Sequence, residues 1–549
     1  MLSQHRFYFV TWNVATKNPS QDLNALLDFP SQFDKNKPLP DFYVIGLQEV
    51  KSQPQNMIMD NLFIDPWSSA FNAILCRRNF FMAKNIRLQG MLLLVYTQMK
   101  HLTHLREIEA QYTKTGLGGM WGNKGAVSVR FNIYGCSVCL LNCHLTAHEH
   151  LLADRINDYN TIIKQHTYHV KETTNILYHD YVFWFGDLNF RTDHPSGSSP
   201  TSEEIVAALQ KIEKDKYTSL LKHDQLIAVM KADEAFSEFT EPDIQFPPTY
   251  KFMTGTDEYD LKRKPSWTDR ILNKVIANNY ENLTLRADLI SYHHIPHYTV
   301  SDHKPVVAQY NIKIRRGFTS SILNESPRAS RTAIRMRSAA VIPPSADGTT
   351  VSLDATDGPL FESDFAAQEA QAFANYTEKT VEFAPISRIW YIGDADFRTQ
   401  CTLSHDVEIN PSDWIGIYDA DFHNLDDYIV YEYLAKLSLP HAHSTAGQPR
   451  TITLSFPVGS GVRTPGFYRF IYFSQPNNDV RSVLGISEPF EVSSKEDKLV
   501  SLDNSEPSPS TSSPAQPGAN TNNSDIFTDF TGLDVAKLSR HFANDLNID

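Results

Sequence analysis

Cysteine is scarce in this chain: five in 549 residues, at positions 76, 136, 139, 143 and 401. The odd number and irregular spacing exclude a disulfide-framed secreted scaffold and fit a reducing compartment. Cys136 and Cys139 have the spacing of a redox or zinc motif, but they sit in the strand-like run YGCSVCLLNCHL. Residues three apart on a strand face opposite ways, so these thiols read as buried apolar side chains. An excess of positive charge is also lacking: 50 Lys and Arg stand against 64 Asp and Glu, for a net charge of -14. That argues against a protein that grips long nucleic acid electrostatically, and no nucleic-acid partner is expected. No apolar run approaches the roughly 18 residues of a membrane span. The N-terminal MLSQHRFYFVTWN reads as a strand rather than a secretory leader. Finally, the glycine-rich GLGGMWGNKG at 116–125 lacks the GxxxxGK[ST] spacing, so a nucleotide P-loop is not supported.

The length exceeds one hydrophobic core, and two or more domains are expected. Buried strands are predicted at 6–12, 42–47, 71–76, 91–97 and 181–185, with a hairpin over 126–142 turning at Asn132–Gly135. Helical patterns cover 149–168, 202–214 (capped by Ser202) and 217–231. A basic turn at 262–268 leads into the strand DRILNKV, and 287–292 and 304–313 make the last strands, with His293, His294 and His297 in the loop between them. Many strands and fewer helices predict an α/β, or α+β, sandwich of two packed sheets with helices outside.

After residue 313 the composition shifts. Residues 314–379 are Ser-, Ala- and Pro-rich, first basic and then acidic, and read as a flexible linker. Its basic half suits an anionic membrane or phosphorylation near Ser330; the plainer reading is a solvated tether. Short aromatic strands from 380 to 493, spaced by turn residues, predict a small β-sandwich. Residues 494–549 read as a mostly disordered tail.

The chemistry gathers where strands end. Asn13, Glu49, His144, Asp187 and Asp302 are each expected at a strand tip, and YVFWFGDLNFR at 181–191 puts Asp187 and Asn189 on one side of an extended chain. Oxygen donors dominate, which points to a hard divalent ion, most simply Mg²⁺. The alternative, zinc held by His144, His148 and His150, requires three histidines to converge from a helix entry. His303 is expected to face substrate, with Asp269 as the carboxylate that holds its tautomer. Tyr250, Lys251, Lys262, Arg263 and Lys264 form a cationic cluster that implies an anionic substrate. Met120 and Trp121, beside Asn123 and Lys124, read either as a tip that dips into lipid headgroups or as turn glycines with a packed Trp.

Taken together, WNV at 12–14, GLQEV at 46–50, GNKGAV at 122–127, NCHLTAH at 142–148, FWFGDLNFR at 183–191, KFMTGTDEYD at 251–260, KPSWTDRIL at 264–272 and SDHKPV at 301–306 resemble the inositol polyphosphate 5-phosphatases, within the magnesium-dependent endonuclease/exonuclease/phosphatase superfamily. The motifs run in family order over 5–313. Residues 381–492 resemble the SKICH domain, and catalytic domain then SKICH is the order of the skeletal muscle and kidney-enriched and proline-rich members, the former looking closer.

The resemblance implies roles. Glu49 would be the principal Mg²⁺ ligand, with Asn13 near and Asp302 assisting. Asp187 would orient and deprotonate the attacking water, which Asn189 would help position. His303, paired with Asp269, and His144 would contact phosphoryl oxygens. Arg191 would brace the Asp187 loop or meet substrate. Tyr250, Lys251, Lys262 and Arg263 would read a 4-phosphate, and Asn123 and Lys124 would also meet substrate. Met120, Trp121 and Phe63 would touch lipid. The expected activity is Mg²⁺-dependent hydrolysis of the 5-phosphate of PI(4,5)P2 and PI(3,4,5)P3, with soluble inositol polyphosphates as further substrates. The expected setting is cytoplasmic, with peripheral association to the plasma membrane or endomembranes such as the endoplasmic reticulum, and protein partners through the SKICH-like domain. Rival readings are a nuclease or a sphingomyelinase-like esterase on the same scaffold, or a catalytically silent scaffold module.

Overall fold

A computed structural model describes residues 2–29, 38–51, 65–195, 197, 199–212, 215–276, 285–315, 379–393, 397–437, 449–456 and 462–495. Phe63 and most of the expected linker and tail lie outside the described residues.

The N-terminal part is the expected two-sheet sandwich. One six-stranded sheet has the order β10-β11-β1-β2-β4-β3. Its strands are β1 (Leu2–Asn13), β2 (Phe42–Gln48), β3 (Phe80–Leu88), β4 (Met91–Gln98), β10 (Ala287–His294) and β11 (Val306–Arg315). The other, five-stranded, runs β5-β6-β7-β8-β9. It comprises β5 (Leu105–Thr115), β6 (Trp121–Ile133), β7 (Cys136–His144), β8 (Tyr181–Asp187) and β9 (Asp269–Val275). Alternation sorts their side chains. Phe7, Phe9, Phe42 and Val44 from one sheet meet Val129, Phe131, Leu140, Phe183 and Phe185 from the other in the shared core. The opposite faces are covered by helices: Tyr8, Val10 and Trp12 by helix Pro66–Leu75, and Leu141, Val182 and Trp184 by helix Leu152–Gln165.

Several local expectations change. Residues 71–75 are helical, not a strand: Asp65 caps the helix by accepting from Trp67 N and Ser68 N, with Pro66 in the first turn. Trp67, Phe71 and Leu75 then fall on one buried face. The helix at 202 is capped by Thr201, in a capping box with Glu204, and ends at Gln210. The pattern at 217–231 breaks into Lys216–Leu221 and Gln225–Lys231, where Asp224 caps the second helix. His293 and His294 belong to β10 and not to the following loop. The hairpin turn is Tyr134–Gly135, both left-handed. All five cysteines are free, Cys136, Cys139 and Cys143 are buried, and burial pushes the Cys139 thiol up to about 12.

The C-terminal part is a small β-sandwich. One sheet pairs β12 (Val381–Phe383), β14 (Phe397–Leu403) and β17 (Arg450–Phe456). The other contains β13 (Trp390–Tyr391), β15 (Trp414–Asp419), β16 (Val430–Tyr433), β18 (Gly466–Ser474), β19 (Ser482–Ile486) and β20 (Phe490–Ser493). Phe397, Leu454, Phe470 and Phe490 fill its core.

Candidate active site

Strand register assembles the site. In the five-stranded sheet, Gly125 pairs with His144, His144 with Asp187 and Asp187 with Asp269, giving a row across four strands. In the facing sheet, Asn13 pairs with Gln48, so Glu49 follows at the same end. Asp302 does not end a strand; it lies in the turn before β11, whose antiparallel course delivers it to that end. Gly186 makes the final bend of β8 at φ +137, where a Cβ would stand 2.0 Å from Cys143 O. Glu49 and Asn189 take left-handed conformations at φ 54 and 59, which turn their side chains out of the strand direction.

Asp187 is the hub. Its Oδ2 accepts from Asn13 Nδ2 at 3.0 Å and lies 3.4 Å from His144 Nε2 and 4.0 Å from His303 Nε2. Its Oδ1 accepts from Asn189 N at 3.1 Å. Burial alone would raise its pKa, but the His144 hydrogen bond and the charges of His303, His144 and Lys124 outweigh that and hold it well below the usual carboxylate range. His303 donates from Nδ1 to Asp269 Oδ2 at 2.9 Å, and Asp269 also accepts from Thr249 and Thr268 hydroxyls. Burial opposes the imidazolium, yet Asp269 first, then Asp187 and Asp302, lift His303 to about 9. It is therefore a cation at neutral pH. His144 differs: burial and the neighbouring Lys124 depress its pKa.

Two groups among the described residues place His and carboxylate atoms close enough to hold a metal ion: Asp187–Asp269–His303 and His5–Asp41–His101. In the first, Asp269 Oδ2 is already saturated by three donors and serves to orient His303. The oxygen-rich side is formed instead by the carboxylates of Asp187 and Glu49, bridged by Asn13: its Nδ2 donates to Asp187 Oδ2 and, at 3.1 Å, to Glu49 Oε1, which lies 3.9 Å from His144, while its Oδ1 accepts from Ala15 N. Glu49 is 43% exposed, so a carboxylate faces solvent beside a buried one. Oxygen donors without thiolate suit a hard divalent ion. The second group lies about 25 Å away along β1. There Asp41 is occupied by Lys100, His101 and the N–H of Arg6.

The remaining expected residues are distributed as follows. Asn189 donates to Leu145 O at 3.0 Å and accepts from Arg191 Nη2 at 2.5 Å, so its amide is held at both ends. Arg191 also lies over the Tyr250 ring at 4.5 Å, and that ring lies 4.5 Å from His303. Asp302 is turned to Lys251 at 3.6 Å. No contact joins it to Glu49 among the described residues. Arg191, Tyr250, Lys251, Arg263 and Lys264 line one pocket with His148 and Glu149, while Lys262 is exposed and does not line it. Lys264 pairs with Glu149 at 2.8 Å and Asp193 at 2.7 Å. His148 stacks with His150 and lines this pocket, and among the described residues His144, His148 and His150 form no group able to hold a metal ion, so the zinc alternative is not assembled. Lys124 turns inward to contact His144, with burial lowering its pKa to about 8. Asn123 is exposed at the rim, as are Met120 (80%) and Trp121 (48%).

Sequence reasoning passes over the supports. Trp12 Nε1 donates to His303 O, Ser301 Oγ to Asn13 O, and Gln48 Nε2 to Asn142 Oδ1. Gln48 and Trp12 stand inside the GLQEV and WNV motifs, and that position is their only signal in the sequence.

The family model for endonuclease/exonuclease/phosphatase family 2 matches residues 10–309, and the SKICH domain model matches 381–492. Phosphatidylinositol 4,5-bisphosphate 5-phosphatase A of Homo sapiens is 32% identical over 90% of this chain and 42% of that protein. Inositol polyphosphate 5-phosphatase K of Mus musculus is 30% identical over 88% of this chain and 89% of that protein. Inositol-1,4,5-trisphosphate 5-phosphatase 1 of Schizosaccharomyces pombe is 36% identical over 51% of this chain and 25% of that protein. The chain thus spans about two fifths of the length of the human relative. No described helix is long and apolar enough to cross a membrane. By the match over more than half its length, the chain belongs to endonuclease/exonuclease/phosphatase family 2, with an inositol-polyphosphate 5-phosphatase domain followed by a SKICH domain.

Proposed function

We propose that the chain hydrolyses the 5-phosphate of inositol lipids such as PI(4,5)P2 and PI(3,4,5)P3, and of soluble inositol polyphosphates. The carrying observation is the convergence of Asp187, Asn13, His144 and the Asp269-oriented His303 beside a pocket lined by Lys251, Arg263 and Arg191. One phosphate meets the hub while a neighbouring phosphate on the same ring meets the cations.

Asp187, ionised at neutral pH, aligns water by accepting its hydrogen at Oδ2 or Oδ1, for in-line attack on phosphorus. His303, protonated, donates from Nε2 to a phosphoryl oxygen as negative charge grows there. Asp269 fixes the tautomer and angle of that donor. Glu49 would hold a divalent ion, Mg²⁺ on this reading, with Asn13 near it and bridging it to Asp187 through Nδ2; when bound, the ion would neutralise charge on the phosphoryl and leaving oxygens. Phosphomonoester hydrolysis is among the slowest uncatalysed reactions, so these contributions must combine. A compact polyphosphate ring fits a chain of charge -14 with one local cationic pocket better than a duplex does.

The exposed Met120–Trp121 tip supports a lipid surface as the substrate's setting, and the SKICH domain supports protein partners. Placement beside the skeletal muscle and kidney-enriched members rests on domain order alone. The test is phosphate release, with and without Mg²⁺, from a panel of short-chain phosphoinositides and soluble inositol phosphates. Release confined to substrates bearing a 5-phosphate, and abolished by Asp187→Asn in a folded protein, is expected; normal turnover by that variant, or hydrolysis of phosphodiesters instead, overturns the reading.

A further inference from the structure

A sandwich of two open sheets leaves unpaired edges, and here β3 and β5 are the edge strands of their sheets. Both are met by the second domain. Met82 N of β3 donates to His423 O at 2.7 Å, and Leu425 N donates back to Met82 O at 3.1 Å. Ile108 of β5 exchanges both backbone bonds with Arg481, at 2.7 and 3.1 Å. Glu107 N donates to Ser482 Oγ at 2.8 Å, and the Arg106 guanidinium reaches Val483 O.

Each contact falls at an irregularity. The pairing of β3 shifts between Met82 and Lys84, and that of β5 between Arg106 and Glu109, where Glu107 is left-handed at φ 51. Bulges re-aim an edge locally. Two of them, each at the residue that bonds the other domain, mark these edges as shaped for an occupant.

The remaining contact is that of a core. Phe81 packs on Phe422 with centroids 5.2 Å apart. Trp414, Tyr418, Leu425, Phe473 and Val483 belong to the same buried cluster as the sandwich interior. Asp426 takes Arg481 at 2.6 Å and Lys84, from the first domain, at 3.6 Å.

Both docked strands lead to the active-site rim. β3 runs on to the Gln89–Gly90 turn, where Gly90 O accepts from Val50 N at 2.9 Å, next to Glu49. β5 runs on to Thr115 and the exposed Leu117–Trp121 loop. We propose that the second domain is a fixed part of the phosphatase scaffold: paired to the edges of β3 and β5, it positions the Glu49 turn and the Leu117–Trp121 loop and thereby sets turnover. A domain that only carries the enzyme to a partner would leave both unaffected. The kinetic part rests on the function proposed above; the structural part does not.

The test uses the full chain, free of substrate, and two variants. Phe422→Asp puts a carboxylate against Phe81. Lys84→Glu, milder and at a half-buried position, sets like charge against Asp426 and carries the same test should the first not fold. Hydrogen exchange is read by segment. In the parent protein, the Met82 and Ile108 amides are expected to be slow despite lying on edge strands. In a variant, exchange over 80–84 and 106–110 rises about ten-fold or more, and exchange over 86–90 and 112–121 rises with it. For a water-soluble inositol polyphosphate, kcat falls at least about three-fold while KM holds, and Phe422→Leu restores both readouts. Fast exchange of Met82 and Ile108 in the parent overturns the proposal. So does a variant in which the docking amides open while 86–90, 112–121 and kcat stay unchanged. Absence of activity in the parent would count against the proposed function, leaving the exchange result to decide this one.

Discussion

Asp187 and Asp269 are register partners on β8 and β9, and His303 lies between them, 2.9 Å from Asp269 and 4.0 Å from Asp187. The two carboxylates have opposite surroundings. The Oδ2 of Asp269 is filled by two hydroxyls and the imidazole, whereas the Oδ2 of Asp187 meets Asn13 and His144. Asp269→Asn keeps the volume but offers His303 an amide in place of a charge. The expected result is a fall in kcat of about 10²-fold or more with KM nearly constant, within the range for a disabled proton or charge partner. Steady-state kinetics on a folded variant checks it; an unchanged kcat removes Asp269 from the mechanism.

Gly186→Ala tests the bend that delivers Asp187. At φ +137 a side chain is strained, and its Cβ would overlap Cys143 O, which is backbone and cannot swing aside. A loss of about 2–4 kcal/mol in stability is expected, at the upper end for single substitutions. A melting temperature equal to the parent's would show that the bend is relaxed.

The strand tips are legible in the sequence because a buried strand is a continuous apolar run, and a polar residue closing it has few reasons to be there. Asn13, His144 and Asp187 all carry that signal. The helix at 66–75 is not legible from its apolar residues, since AFNAIL fits either period; Asp65–Pro66 decides it, and that cap lies outside the run. β3 and β5 are obscured by mixed burial, with charged residues such as Lys84, Arg87, Glu107 and Glu109 along edges that read as exposed in the sequence. The contact of the two domains is invisible because backbone atoms make most of its polar bonds, and every residue type has those. The ordering of the 250–264 cations is equally hidden: only folding shows that Lys251 and Arg263 enter the pocket and Lys262 does not.

That ordering is itself testable. Lys251→Ala and Arg263→Ala should each raise KM for a 4,5-bisphosphate about ten-fold, the scale of one charge-assisted contact. Lys262→Ala should do so by less than about two-fold, and none should alter KM for a substrate lacking the neighbouring phosphate. Equal effects of the three substitutions, or equal effects on both substrates, would show that the cluster acts as a diffuse field.

Asp41 gives a pH-dependent stability. Burial opposes its charge, but His101, Lys100 and the Arg6 N–H hold its pKa well below the ordinary carboxylate value. The folded chain therefore binds fewer protons there than the unfolded chain. The stabilisation is complete above about pH 4 and is lost as pH falls through the folded pKa. His101, whose pKa is lowered mainly by burial, acts in the same direction at higher pH. Asp41→Asn should lower the melting temperature at pH 7, with the gap to the parent narrowing in acid below about pH 4. A gap independent of pH would mean that the carboxylate is held by shape and not by charge.

The last prediction concerns the rim. Leu117, Met120 and Trp121 are 74, 80 and 48% exposed on a turn that includes left-handed Leu117 and Gly118. Lys124, on the same strand as Trp121, reaches His144, so whatever surface takes the tip lies about 10 Å from the hub. Burying one large apolar side chain contributes about 1.5–3 kcal/mol, enough for roughly ten-fold or more in partitioning. Met120→Ser with Trp121→Ser should therefore reduce binding to phosphoinositide vesicles about ten-fold or more and raise KM for vesicle substrate. Turnover of a soluble inositol polyphosphate should stay within about two-fold, because neither side chain reaches the hub. Parallel losses on both substrates would place these residues in the loop's own packing, and undiminished vesicle binding would assign the lipid contact to another surface.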